Sequence, residues 1–258
     1  MRVFRFFALA SFVLTSAILN GQTALRGPDG GTTTRVSGVE VLNVSGKPFF
    51  ANTSTEWTRT LEDGSTMTLH LDARLARDGS GRVYRERRTF VPAGSGKESR
   101  LNEIRIYDPV SRTQTVCNVH LKECVIGDYK PRLNFETRPE GVFDNGNRSL
   151  VREQLGANTI EGIDVIGTRE TTRMRPGVQG NERELVSTRE FWYSEELENN
   201  LEVTRDDPRE GKQFIHLSGI TAGEPDAQFF APPAGFTIRD LRATAAHPGS
   251  LGTDSSDQ

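Results

Sequence analysis

Ten residues constrain this chain more than any others. In the run 66–75, Met67, Leu69, Leu71, Ala73 and Leu75 are apolar, and they alternate with the polar Thr66, Thr68, His70, Asp72 and Arg74. A period of two marks a strand with one face in a core and one in water. Glu62-Asp63-Gly64 precedes the run and Asp78-Gly79-Ser80-Gly81 follows it. Asp-Gly pairs between apolar runs are hairpin signals. Three antiparallel strands are therefore predicted in succession, at roughly Phe49–Thr60, Ser65–Arg77 and Arg82–Val91.

The rest of the chain repeats the device. Strand patterns recur from Arg100 to Tyr107, Arg112 to Cys117, Cys124 to Ile126, Leu150 to Leu155, Ile160 to Arg173, Glu184 to Tyr193, Leu201 to Arg205 and Gln213 to Leu217. The breaks between them carry turn chemistry, as at Asp108-Pro109 and Asp206-Asp207-Pro208. The one helical turn expected, Asp226 to Phe230, is stopped by Pro232-Pro233. The class is all-β and mainly antiparallel, with few helices: a strongly curved meander sheet of about eleven strands. A sheet that wide must curl into a sandwich, a barrel or a half-barrel. Apolar content of 34% is low for two packed layers and suits a single sheet with one wet face.

Residues 35–238 are read as one β-rich domain, interrupted by a long loop at 127–149 that contains Pro131, Pro139, Gly141 and Gly146. Residues 22–34 and 239–258 lack periodicity and are expected to be flexible and disordered, respectively. Arg2 and Arg5 followed by an apolar run from Phe6 to Leu19 have the layout of a secretory signal peptide, residues 1–21, cleaved near Gly21. A periplasmic or secreted protein without stable membrane insertion is predicted. Loss of the two leader arginines makes the net charge of −3 more negative by two, which is a poor field for nucleic acid. Basic residues are 27 Arg and only 5 Lys, a bias that fits anion recognition or, in the reading adopted, a base-rich genome.

Cys117 and Cys124 are the only cysteines and lie equidistant from His120-Leu121. If that pair tops a hairpin, the two thiols face each other within the span of a disulfide. The alternative is a metal site of Cys117, His120 and Cys124 completed by Asp128, which requires reduced thiols in an oxidising compartment. The disulfide is the reading adopted, with no metal and no cofactor. His70 and His216 sit in strand positions without a neighbouring nucleophile pattern, and no catalytic motif occurs. An enzyme has no positive feature to rest on. Arg85 and Arg87 share a strand face and are candidates for a headgroup or anion site, or for cross-strand pairs with Glu86 or Glu103.

The second half carries a resemblance. Leu155-Gly156, Ile160-Glu161-Gly162, Gly167-Thr168-Arg169, Phe191-Trp192-Tyr193, Ile215-His216-Leu217 and the closing Asp226 to Phe236 (DAQFFAPPAGF) look like uncharacterised secreted β-rich proteins of soil acidobacteria. Over residues 150–238 the chain also resembles the LolA/RseB-like lipoprotein-carrier superfamily. That resemblance implies a half-open curved antiparallel sheet whose concave face holds acyl chains under a helical lid; no lid helices are evident in this sequence. The expected activity is the binding of a lipid, an acyl chain or a partner segment. The candidate lining is Met67, Leu69, Leu71, Leu75, Ile104, Ile106, Phe191 and Tyr193, because a wide sheet without covering helices leaves an apolar face in need of an occupant. The alternative is an envelope protein–protein interaction scaffold with a closed core, acting through residues 127–149.

Overall fold

A computed structural model describes residues 39–131, 133 and 138–242. Strands β1 (Phe49–Thr60) and β2 (Thr66–Arg77) pair without interruption from Phe49 opposite Arg77 to Thr60 opposite Thr66. The hairpin predicted at 62–64 is thus in place, with Gly64 taking a φ of 81° that a side chain disfavours. The chain continues through β3 (Val83–Arg88), β4 (Val91–Pro92), β5 (Leu101–Asp108), β6 (Thr113–Asn118) and β7 (Glu123–Asp128). After a connection come β8 (Gly141–Phe143), β9 (Arg148–Ile160), β10 (Ile163–Met174), β11 (Leu185–Ser194), β12 (Asn199–Asp207) and β13 (Gly211–Ala222). A 3-10 turn (Ala227–Phe230) and β14 (Thr237–Asp240) close the described chain.

All fourteen strands belong to one sheet, in the order β14-β7-β6-β5-β3-β2-β1-β13-β12-β11-β10-β9-β8, with β4 pairing β2 off this path. The architecture is all-β and mostly antiparallel as expected, and it does not close into a barrel, since β14 and β8 do not pair. Its strand count and topology differ from a single meander of eleven. Two meanders, β1 to β7 and β8 to β13, lie side by side and meet where β13 pairs β1. The partners in that seam are more than 150 residues apart, as Thr55 and Ile215 show, so no local pattern announces it. The three extra strands are short pieces: β4, beside the interior strand β2, and β8 and β14 at the two ends of the order. β14 also runs parallel to β7 and carries the order to Asp240, beyond the predicted limit at 238. The span 127–149 is likewise not one loop. Asp128 ends β7, β8 occupies 141–143 and β9 begins at Arg148. The leader 1–21, residues 22–34 and most of the tail lie outside the described residues. Among the described residues no helix is long and apolar enough to cross a membrane.

The two faces carry different cores. On the first face Phe49, Ala51, Leu75, Val83, Leu201, Val203, Ile215 and Leu217 pack beneath Val39, Val41 and Leu197. The cover is tied down through Arg77, which is fully buried. Its guanidinium donates to the carbonyl of Lys47 at 2.9 Å, to that of Leu42 at 3.2 Å and to that of Leu197, and lies 5.0 Å from the Phe49 ring. Burial lowers its pKa to about 10, so it remains a cation at neutral pH.

On the second face Ala76, Tyr84, Ile104, Ile106, Cys117 and Cys124 pack beneath Phe230, with Phe50, Phe229 and Phe236 around it. The DAQFFAPPAGF segment is therefore a strap over the first meander. Phe229 stacks on Phe50 at 5.4 Å and meets Tyr84 at 4.9 Å, and Arg82 lies 4.9 Å from the Phe230 ring. Beside the strap the Glu86 carboxylate, with no exposed side-chain surface, accepts from Arg88 Nε at 2.7 Å, Arg74 Nε at 2.8 Å and the Tyr84 hydroxyl at 2.8 Å. Burial would raise its pKa, but those hydrogen bonds outweigh burial and hold it below the usual value.

Candidate ligand basin

The sequence-predicted residues do not form one surface, and strand parity is the reason. Leu75 stands opposite Arg85, and Arg85 opposite Arg105. Facing residues share a face, so Arg85, Arg87 and Arg105 continue the Met67–Leu75 face. Ile104 and Ile106 point the other way, into the second core with Tyr84. They are 8% and 5% exposed and lie in the core of that second face, away from Leu69 and Leu71. Leu75, at 3%, lies in the core of the first face. Met67, Leu69 and Leu71 remain on the first face at the outer half of β2, with Met67 exposed and the two leucines half-buried. Arg87 leans toward Glu103 at 3.9 Å, the cross-strand pair foreseen as the alternative to a headgroup site. Arg85 is half-buried, and burial lowers its pKa. The cysteines pair as the hairpin spacing predicts. Cys117 and Cys124 are directly opposed in β6 and β7 and disulfide-bonded. With the sulfurs bonded to each other, His120 turns to Asn102 instead, at 3.2 Å.

Phe191 and Tyr193 do reach a cavity, together with a set of residues that the sequence reading did not single out. On the first face of the second meander a basin of about 1330 Å³ is lined by residues of four successive strands. Most alternate along their strands: Leu150, Arg152 and Gln154 of β9, Thr168, Glu170, Thr172 and Met174 of β10, Leu185, Ser187, Arg189, Phe191 and Tyr193 of β11, and Val203, Arg205 and Asp207 of β12; Thr188, Asn200 and Asp206 contribute at the rim of that pattern. A cavity built from one face of four neighbouring strands means that the sheet curls around it. Val39 and Glu40 of the cover, and Pro208 to Glu210 of the β12–β13 turn, wall two sides.

The lining is amphipathic. Leu150, Met174 and Val203 are buried in its floor, and Leu185, Phe191 and Tyr193 are half-buried above them. The arginines Arg138, Arg148, Arg152, Arg189, Arg205 and Arg209 surround this floor. Several are already engaged. Arg152 pairs with Glu170 at 2.8 Å, Arg209 with Asp207 at 2.6 Å, and Arg148 with Asp144 at 3.3 Å. The Nε atoms of Arg148 and Arg205 are buried without a hydrogen-bond partner, as is Oε1 of Gln213. Burial, and then the neighbouring charge of Arg189, lower the pKa of Arg205. The signal for these residues was present in the sequence as parity. Arg189 lies two positions before Phe191, and Arg205 two after Val203. Which strands would be neighbours was not.

No family model matches the chain, and no curated protein matches it. Among solved structures it is similar to the MucA/MucB complex of Pseudomonas aeruginosa, at 12% identity and a TM-score of 0.36, over 71% of this chain and 55% of that one. It is also similar to a DUF1329 family protein from Desulfovibrio piger, at 12% identity and a TM-score of 0.20, over 73% and 91%. A third similarity is to a Vibrio parahaemolyticus domain described as outer membrane lipoprotein-sorting, at 11% identity and a TM-score of 0.17, over 70% and 88%. The chain thus spans little more than half the length of the chain it matches in that complex.

Proposed function

We propose that this chain is an exported binding module of the cell envelope that holds a hydrophobic ligand, a lipid or an acyl chain, in the basin of its second meander, without catalysis. The observation that carries the reading is the basin itself: a cavity of about 1330 Å³ whose floor carries two apolar patches, Leu150, Met174 and Leu185 on one side of a charged row and Phe191 and Val203 on the other. Small-molecule sites commonly enclose roughly 300–1,000 Å³, so this basin is large enough for a long chain. A sheet face left uncovered at such a floor is an unusual expense of apolar surface unless something occupies it. The leader-like residues 1–21 and the Cys117–Cys124 bond support export, since disulfides persist in oxidising compartments.

The test is native mass spectrometry of the protein purified from its own envelope fraction, followed by organic extraction. A co-purifying lipid is expected, and Leu185→Glu should lose it while keeping a wild-type β-sheet circular dichroism spectrum. A bare protein that also ignores added fatty acids and phospholipids would sink the proposal.

A further inference from the structure

One row of side chains crosses the floor of the basin, and the strand registers give its members in order. Arg152 faces Glu170, Glu170 faces Arg189, Arg189 faces Arg205, and Arg205 faces Gln213. The row begins with a satisfied pair, because Glu170 is held by Nε and Nη2 of Arg152, each at 2.8 Å. The next two members are both cations. Like charges directly opposed across an antiparallel pair destabilise a sheet, and the row's one carboxylate, Glu170, which also faces Arg189, is hydrogen-bonded by Arg152. Among the described residues neither Arg189 nor Arg205 forms an ion pair or a side-chain hydrogen bond, and Nε of Arg205 is buried without a partner. Asp207, two residues along β12 on the same face as Arg205, accepts from Arg209 at 2.9 Å and 2.6 Å and meets Arg189 only through space. Glu210 and Glu40 act on Arg205 only through space.

Gln213 closes the row. It is 2% exposed, and its amide oxygen has no partner. A buried polar atom without a hydrogen bond is costly. The row therefore contains two guanidinium groups without an ion-pair partner among the described residues, a buried donor and a buried acceptor side by side. In the adjacent row on the same face, Phe191 stands opposite Val203 and Val203 opposite Ile215, while Thr168 and Gln154 continue it on β10 and β9. An acidic group placed between the two arginines would have its apolar remainder over Phe191.

We infer that Arg189 and Arg205 form an anion seat, with Gln213 beside it, that takes the carboxylate or phosphate head of the ligand whose apolar chain the basin holds. This inference rests on the basin being a binding site and adds the ligand's chemical class: an acidic amphiphile. Guanidinium groups match carboxylate and phosphate oxygens in two-pronged geometry. An anion shared by the facing pair converts their repulsion into two attractions, so ligand binding and sheet stability rise together.

The experiment compares four probes on the full chain by isothermal titration: decanoate, decyl phosphate, 1-decanol and inorganic phosphate. Wild type, Arg205→Gln and the Arg189→Gln/Arg205→Gln double variant are used. In wild type both acids should bind at least about tenfold more tightly than decanol, the difference expected of charge-assisted hydrogen bonds. The double variant should bring the acids to the affinity of decanol and leave decanol unchanged. Arg189→Gln alone, at an exposed position, gives the same comparison if the double variant does not fold. Equal affinity for acid and alcohol in wild type, or acid binding untouched by the substitutions, would overturn the seat while leaving the basin reading in place. Inorganic phosphate binding that the variants abolish, with none of the decyl compounds bound, would uphold the seat for a free anion and overturn the apolar basin. Binding of none of the four would overturn both.

Discussion

Arg77 illustrates how one side chain joins a cover to a sheet. A buried cation is tolerated only when its donors are met, and here the acceptors are backbone carbonyls from two separate segments, Leu42 and Lys47 before β1 and Leu197 after β11. Replacing it with Met keeps the volume and orphans those carbonyls. We expect Arg77→Met to lower unfolding free energy by about 3 kcal/mol or more, measured by urea titration. Arg77→Lys should rescue only part, because one ammonium cannot reproduce the planar fork. Glu86 gives a pH-dependent counterpart. Its folded carboxyl titrates below its unfolded value of about 4.3. The stability it contributes is therefore fully present above that unfolded value and is lost as pH falls through the lower folded one. Urea midpoints measured between pH 6 and pH 2 should fall less steeply in Glu86→Gln than in wild type, with a lower plateau near neutrality. An identical acid limb in both proteins would refute the assignment.

At the scale of elements, the β6–β7 hairpin and the strap over it act as one unit. The disulfide lies beneath Phe230 in the second core, and β14, which ends the strap, adds itself in parallel to β7. The bond closes a short loop, so its chain-entropy contribution is roughly 2–2.5 kcal/mol. Cys117→Ala/Cys124→Ala should lower the midpoint of thermal unfolding without abolishing the fold. Because both sulfurs are buried, dithiothreitol should act on the native protein only slowly, at a rate set by local opening. Fast reduction with no change in stability would show that the hairpin is not held by this core.

At the scale of the molecule, the seam between β1 and β13 decides whether there are one or two folding units. The contacts there are extensive. The first core spans the seam, with Phe49 and Leu75 from one meander packed with Val203 and Leu217 from the other. A shared core argues for a single cooperative transition. Trp57 sits on β1 at the seam and Trp192 on β11 in the second meander, so each reports separately. In Trp192→Phe and Trp57→Phe the remaining fluorescence should give the same denaturant midpoint as far-UV circular dichroism for that variant. Separated midpoints would show two independent halves. Pairing partners this remote in sequence also favours folding on the millisecond-to-second scale.

The amino-acid sequence by itself determined the strands, since alternation at 66–75 and turn chemistry at 62–64 and 78–81 act over a few residues. It also determined the Cys117–Cys124 pairing, because hairpin geometry makes equal distances from a turn into direct opposition. The tertiary structure alone decided which strand faces combine. A one-residue change in pairing parity moves every side chain to the other face, which is why Ile104 and Ile106 belong to the core under the strap and not to the surface of Leu69 and Leu71. The same holds for the basin. Arg189 and Arg205 come from different strands, and only the register of β11 against β12 sets two like charges face to face. Local pattern is a property of single strands, whereas a site on a sheet is a property of their alignment.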